Sequence, residues 1–409
     1  MKKSKDIITC ALDIGSDSIK AALGRYDGAK NYFTITTIEF ISPTGAVAGA
    51  VSDMSVCSRS ISKIISKIES KAKAKIDYLF LVISNSQIEA SPAKGVCLLE
   101  KERRVTRKEA ERAVRSSVEF YLPLNRKDIE VIVKEYIVDG QRGILDPVGM
   151  FGKKIEARTV ILHAPVGIIT NMMIAVEEAG YTAADVIASA SAQAEYLLTL
   201  EEKETGSLII DGGDKSTNFV YVKSKFINEV VGSPTGLSEV AAGISAGFGI
   251  PYEYARQMSE GYFNLTHTES NPGTNMLLRK GENSFENVLQ KDFCLKGKES
   301  LGELFAAVEK HAGKQGKAFS SVLCGGAALI EGLPEKLEEY SPNLKVGRIS
   351  PDKIKLCDPS FNNPLFLNSI TGCAYGFKIL NQKRLEYLTR RRFLGRLFLK
   401  IKDLVEEYF

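Results

Sequence analysis

The sequence of 409 residues contains no tryptophan and only three histidines. His163, His267 and His311 are far apart, so a histidine-rich metal centre is not expected. The seven cysteines (Cys10, Cys57, Cys97, Cys294, Cys324, Cys357 and Cys373) form no C-x-x-C pair and are odd in number. That argues against a disulfide framework or a zinc site, and for free thiols in a reducing cytosol. Long apolar runs are also missing. The longest uncharged stretch, 159–176, holds His163, Pro165, Thr170 and Asn171, and reads as a strand over 159–166 followed by a helix over 167–179 rather than a membrane span. No apolar signal-peptide core follows Met1-Lys2-Lys3. Neither charge dominates: 54 Lys and Arg against 50 Asp and Glu give +4, too mild for a dedicated nucleic-acid binder.

What is present is a globular composition, 44% hydrophobic and 25% charged, which excludes global disorder. The length suggests about two to three domains. The charge is unevenly placed: residues 383–402 carry eight basic side chains and one acidic, so the other 389 residues are close to neutral.

Strand and helix patterns alternate along the chain. The apolar, β-prone runs 7–14 and 19–26 flank Gly15-Ser16-Asp17-Ser18, a strand–turn–strand signature. Ile61, Ile64, Ile65 and Ile68 recur at helical spacing within 58–75. A strand is expected at 76–84. Thr106 with Glu109 three residues on predicts a capped helix over 106–119. A strand at 129–136, a Gly/Pro-rich loop at 139–152 and a small-residue helix at 183–200 follow.

The pattern then repeats. Ser207–Asp211, a polar turn and Asn218–Val222 form a second strand–turn–strand. Asp13-Ile14-Gly15-Ser16-Asp17-Ser18 aligns with Asp211-Gly212-Gly213-Asp214-Lys215-Ser216, sharing Asp, Gly and Ser at an offset of 198 residues. Such a duplication predicts two similar α/β domains facing each other across a cleft. Glycine-rich turns present backbone N–H groups to phosphate, and the hydroxyls of Ser16, Ser18, Ser216 and Thr217 add donors. Asp13 and Asp211, at strand ends, are suited to hold Mg²⁺ through water. A third turn, Leu323-Cys324-Gly325-Gly326-Ala327-Ala328, is suited to approach a nucleotide's sugar or base. Each turn taken alone also reads as an ordinary hairpin.

These residues resemble the actin/Hsp70 ATPase superfamily and, within it, the FtsA family of bacterial cell division. The most specific stretch is Lys134-Glu135-Tyr136-Ile137-Val138-Asp139-Gly140-Gln141-Arg142-Gly143-Ile144-Leu145-Asp146-Pro147-Val148-Gly149-Met150, continuing through Gly152 to Glu156-Ala157-Arg158. It is similar to the end of the 1C subdomain that FtsA proteins carry in place of actin's 1B. The resemblance runs over nearly the whole chain and weakens between 232 and 317. It implies a two-lobed, duplicated ribonuclease H-like α/β fold with an inserted 1C (SHS2) subdomain and a C-terminal amphipathic helix. The implied division is lobe 1 over 1–84, 1C over 85–163, lobe 1 again over 164–205, lobe 2 over 206–250, subdomain 2B over 251–318, lobe 2 again over 319–360, a return to lobe 1 over 361–380, a linker at 381–390 and the terminal helix at 391–409.

By the same resemblance, ATP would lie against Gly15, Ser16, Ser18, Gly213, Ser216, Thr217, Gly325 and Gly326. Asp13 and Asp211 would hold Mg²⁺ through water, and Glu195 would orient water for catalysis. The departures fall at this site. Where the family reads Asp-Ile-Gly-Gly-Gly-Thr-Thr-Asp, this chain has Asp214 and Lys215 for two glycines and Asn218 for the closing acid. Pro234-Thr235-Gly236-Leu237 replaces a Gly-Gly-Asp stretch, Arg256 a ribose-binding Glu, and Ala327 a third glycine. A carboxylate among phosphate oxygens is repulsive unless paired, so the expectation is at most a weak ATPase, or a scaffold with a degraded pocket.

The terminal segment carries its own signal. At helical spacing Phe393, Leu394, Leu397, Phe398, Ile401, Leu404, Val405, Tyr408 and Phe409 share one face of about 160°, opposite Arg392, Arg396, Lys400, Lys402 and three acids; Leu399 is the exception. That is the pattern of an interfacial helix on an anionic membrane surface, and equally that of a helix docked on the body or on a partner. The FtsA resemblance favours the membrane, with Arg392 to Val405 as the contact, at the cytoplasmic face of the division site. It also implies the FtsZ C-terminal peptide as a partner through 2B, self-association into filaments, other division proteins through 1C, and no nucleic acid. The basic run 101–108 reads as a solvated face and 264–283 as a surface loop. Alternatives are an actin-like scaffold such as PilM of pilus assembly, or a sugar- or acetate-kinase-like phosphotransferase.

Overall fold

The computed structural model describes residues 6–28, 32–266, 274–313 and 319–382. The expected terminal helix 391–409, and the linker 381–390 beyond its first two residues, lie outside them. Two sheets with the same strand order form the body. In the first, strand Ile7–Ile14 pairs antiparallel with Ile19–Asp27 and parallel with Tyr78–Ile83. Tyr32–Ile41 extends the antiparallel side and Ala183–Ala188 the parallel side. In the second, Ser207–Gly212 pairs antiparallel with Thr217–Lys223 and parallel with Ser320–Cys324, with Phe226–Ser233 and Leu344–Val346 outside them. The repeat seen in the turn residues is therefore a repeat of topology. The first sheet adds Lys355–Leu356 at its edge, parallel to Tyr32–Ile41.

The central strands are buried on both faces, which accounts for continuous apolar runs such as Cys10-Ala11-Leu12 and Leu208-Ile209-Ile210. Helix Met54–Ala72 covers the first sheet with Ile61, Ile64, Ile65 and Ile68; Asp53 caps its first turn. A helix over 367–382 returns the chain to the first lobe, where Phe377 stacks on Tyr26 and Phe33 at ring distances of 4.6 and 4.9 Å. One apolar cluster joins the two lobes, since Ile209, Val220 and Val322 belong to the same cluster as Ile187 and Ala190.

Between the halves of the first lobe sits a four-stranded sheet, ordered Glu89–Arg104, Phe151–Pro165, Arg126–Val138 and Gln141–Ile144, with helix Arg107–Tyr121 on one face. Thr106 and Glu109 form the capping box read from the sequence. The helix rests on its small residues, Ala110, Ala113 and Ser117. Along Glu89–Arg104, residues 93, 95, 97 and 99 are buried and their neighbours exposed, the period-two pattern of a strand with one covered face. Cys97, Leu99, Val105, Ala113, Ile155 and Ala157 make a core of their own, separate from that of the lobes.

Three local expectations are corrected. The helix expected over 183–200 is a strand, Ala183–Ala188, followed by two helices, Ser189–Leu197 and Leu200–Thr205. The small side chains suit either state, and parallel pairing with Tyr78–Ile83 decides it; Thr199 then caps a new helix. The stretch 264–283 is not all loop: Asn275–Arg279 pairs with Phe285–Leu289 and buries Met276 and Leu278. The loop expected at 139–152 contains the strand Gln141–Ile144. The basic run at 101–104 ends a strand, where Arg103 pairs with Glu109 at 2.9 Å. All seven cysteines are free, with Cys357 alone exposed. Among the described residues no helix is long and apolar enough to cross a membrane.

Candidate functional site

The two hairpin turns face each other across a cavity of about 590 Å³ between the lobes. The turns have the same internal bond: the Gly15 N–H donates to the Ser18 carbonyl at 3.2 Å, and the Gly213 N–H to the Ser216 carbonyl at 2.9 Å. Gly15, Ser16, Gly213, Ser216, Gly325 and Gly326 line the cavity. Gly325 ends strand Ser320–Cys324 with a φ of 77°, in the left-handed region. A Cβ there would stand 2.5 Å from the Gly212 carbonyl, so only glycine lets the third turn close on the second.

Asp13 and Asp211 terminate the two central strands and are both buried against the cavity. Asp211 Oδ2 accepts from Ser84 Oγ at 3.0 Å and from Asn368 Nδ2 at 3.1 Å. Asp13 lies 4.0 Å from Lys20 Nζ, which donates to the Ser18 carbonyl at 3.3 Å. Burial pushes the Asp13 carboxyl up to about 6; Lys20 pulls it down, and the charge of Asp211 raises it. A hydrated divalent cation between the turns would meet these two carboxylates and relieve their repulsion.

Asp214, Lys215, Asn218 and Arg256, which depart from the family pattern, all line the cavity. Arg256, on helix Tyr252–Tyr262, hydrogen-bonds Asp17 of the first turn and lies 4.0 Å from Asp214 Oδ1 of the second. Lys215 Nζ stands 5.7 Å from the centre of the Tyr252 ring. Asn218 donates to Ser84 Oγ at 3.2 Å. Among the described residues, Asn218 Oδ1, Ser238 Oγ and Tyr252 Oη are buried without a hydrogen-bond partner, and all three residues line the cavity. Orphaned polar atoms are costly unless a ligand or water satisfies them. Together with glycine backbone, hydroxyls and Lys20, they fit a polar, phosphate-bearing ligand; the Asp214 carboxylate is the discordant group.

Three expected site residues lie elsewhere. Ser18 and Thr217 are buried but outside the cavity lining, and the Thr217 hydroxyl donates to the Thr235 carbonyl at 2.9 Å. Glu195 is also outside the lining, held by Lys378 at 2.6 Å and Lys203 at 2.9 Å. Its carboxylate therefore ties the helix over 367–382 to the first lobe and is not aimed at cleft water. Burial alone would raise it, but the two lysines outweigh burial and hold it at about 2. Lys20, Ser84 and Asn368 are cleft residues that the motifs do not announce. A lysine within the apolar run Ile19-Lys20-Ala21 was a signal for the first; the other two arrive from distant segments and have no local signature.

Residues 85–163 match the SHS2 domain inserted in FtsA. The chain is 25% identical over 384 residues to the cell division protein FtsA of Streptococcus pneumoniae, covering 91% of this chain and 81% of that one. It is 22% identical over 373 residues to FtsA of Pseudomonas aeruginosa, covering 90% and 88%. Among solved structures, the PilM-PilN type IV pilus biogenesis complex contains a chain that superposes with a TM-score of 0.60 at 17% identity, covering 90% of this chain and 97% of that one. The structural likeness establishes the actin-like fold; the sequence similarity to FtsA proteins supports a role in cell division.

Proposed function

We propose that this chain, a divergent relative of the FtsA proteins, is a division-site scaffold that tethers FtsZ filaments to the cytoplasmic face of the membrane and self-associates. The observation that carries this reading is the conjunction of the SHS2 insertion at 85–163 with FtsA similarity over nine-tenths of the chain. The membrane contact is the amphipathic segment 391–409, whose apolar face enters the interface while Arg392, Arg396 and Lys400 meet anionic lipid, each adding about 1 kcal/mol. The FtsZ C-terminal peptide binds the 2B region, 251–318, and other division proteins meet the insertion. The cleft takes a nucleotide with Mg²⁺: Asp13 and Asp211 hold the hydrated cation, and the backbone at Gly15, Gly213, Gly325 and Gly326, with Ser16, Ser216 and Lys20, cradles the ligand. Bound Mg²⁺ would supply charge neutralisation at the phosphates. Phosphoryl transfer needs a positioned water as well, and Glu195 is committed to two lysines, so hydrolysis is at most weak.

The test pairs two measurements on the full chain. It should sediment with vesicles containing anionic phospholipid and lose that property when 390–409 are removed, and it should bind a labelled FtsZ C-terminal peptide by fluorescence anisotropy. Binding of a PilN peptide in place of the FtsZ peptide would move the chain to the pilus-scaffold class, and sedimentation of the truncated chain would discard the anchor.

A further inference from the structure

Asp214 stands in the second turn where Ser16 stands in the first, at the same offset of 198 residues that relates Asp13 to Asp211. Both turns close with the same Gly-to-Ser backbone bond and both side chains border one cavity. An anionic group held between the turns would therefore meet a hydroxyl on one wall and a carboxylate on the other. The carboxylate is not turned out to water: its side chain is 16% exposed, with Arg256 at 4.0 Å. Lys215 and Lys20 add positive field and Asp17 opposes it, while burial pushes the Asp214 carboxyl up from its ordinary range. A carboxylate with an arginine at 4.0 Å and two lysines contributing to its field is in a setting proteins otherwise build for phosphate oxygens.

The remaining charge sharpens this. Six acidic side chains line the cavity against three basic ones, Lys20, Lys215 and Arg256. One Mg²⁺ offsets two of those charges, and each further phosphate adds to the deficit. A long polyphosphate would have to displace Asp214 from its cations or lie against it, and at a few ångströms in a half-dry cleft either is costly. A shorter one leaves the Asp214 cluster intact and still reaches Lys20 and the backbone of the first turn.

We propose that Asp214 is a fixed internal anion occupying the terminal-phosphate position, so that the cleft takes a nucleoside diphosphate in preference to a triphosphate. The inference rests on the reading of the cleft as a nucleotide site. It makes the altered turn a specificity determinant rather than a decayed one, and it gives Arg256 and Lys215 a role that a merely degraded pocket would not require.

The experiment is calorimetric titration of the full chain with MgADP and with MgATP, on the natural protein, Asp214→Gly and Asp214→Asn. The natural chain should bind ADP about tenfold or more tighter than ATP. Both variants should gain about tenfold or more for ATP while ADP affinity moves by less than about threefold, the effect of removing one like charge near the terminal phosphate. Asp214→Asn preserves size and shape, so it decides the matter if the glycine variant does not fold. Equal affinity for the two nucleotides in the natural chain, or equal gains for both in the variants, would overturn the proposal and leave the nucleotide site standing. Absence of binding by either nucleotide to all three folded proteins would remove the nucleotide site itself, and the proposal with it.

Discussion

The guanidinium of Arg256 hydrogen-bonds the carboxylate of Asp17, 239 residues away, across the mouth of the cleft. Asp17 belongs to the hairpin turn of the first lobe and Arg256 to a helix packed on the second. Half of this bridge is a sequence departure, since an arginine replaces the acid expected at that place. The structure shows what the arginine does: it joins the two turns, with Asp17 on one side and Asp214 on the other.

Replacing Arg256 by alanine should loosen the turns without unfolding the protein. The bridge is partly solvated, with side chains 30% and 47% exposed, so it contributes on the order of 1 kcal/mol or less to stability. Its local effect is larger, because both turns lose a shared partner. Amide hydrogen exchange should rise in residues 15–18 and 213–216, while the melting temperature moves by no more than a few degrees. Unchanged exchange in both turns would show that the arginine does not join them.

Glu195 supplies a pH signature. Its carboxylate is held at about 2 by Lys378 and Lys203, below the ordinary 4.5 for a glutamate. A depressed folded-state value means the ionised form is favoured by folding. The stabilisation is fully present above about pH 4.5 and is lost as pH falls through that value toward 2. Glu195→Gln should therefore melt below the natural protein at pH 7, and the gap should close on acidification across that window. A gap that stays undiminished between pH 7 and about pH 2 would mean the lysines contribute through packing rather than charge.

Much of the frame was legible because it rests on local signals. The paired turns at 13–18 and 211–216 gave the duplication, and the two sheets repeat it strand for strand. Thr106 and Glu109 announced a helix that begins where they place it. What was not legible depended on partners distant in the chain. Ala183–Ala188 is small enough for a helix and becomes a strand only because Tyr78–Ile83 offers it an edge. Glu195 matched a motif, yet Lys378, 183 residues on, claims its carboxylate. Asn368 reaches Asp211 from 157 residues away, and no pattern around Asn368 foretells it.

Gly95 offers a way to perturb the insertion alone. A Cβ at this position would stand 1.8 Å from the Ala113 carbonyl oxygen and 2.5 Å from the Ser117 nitrogen. Both are helix backbone atoms, so neither can swing aside; the whole helix Arg107–Tyr121 would have to lift. Overpacking of this kind costs about 1–3 kcal/mol, and a backbone clash belongs at the upper end. The cluster of Cys97, Leu99, Val105, Ala113, Ile155 and Ala157 beneath this helix is separate from that of the lobes, so the cost should stay local. Gly95→Ala should raise amide exchange across 89–165 and lower the first denaturant midpoint, while exchange in strands Ile7–Ile14 and Ser207–Gly212 remains as it was. Because the cleft is built from the lobes, nucleotide titration of this variant should match the natural chain. A uniform rise in exchange over both lobes would mean that the insertion and the body unfold as one unit, and that the separate core has no independent stability.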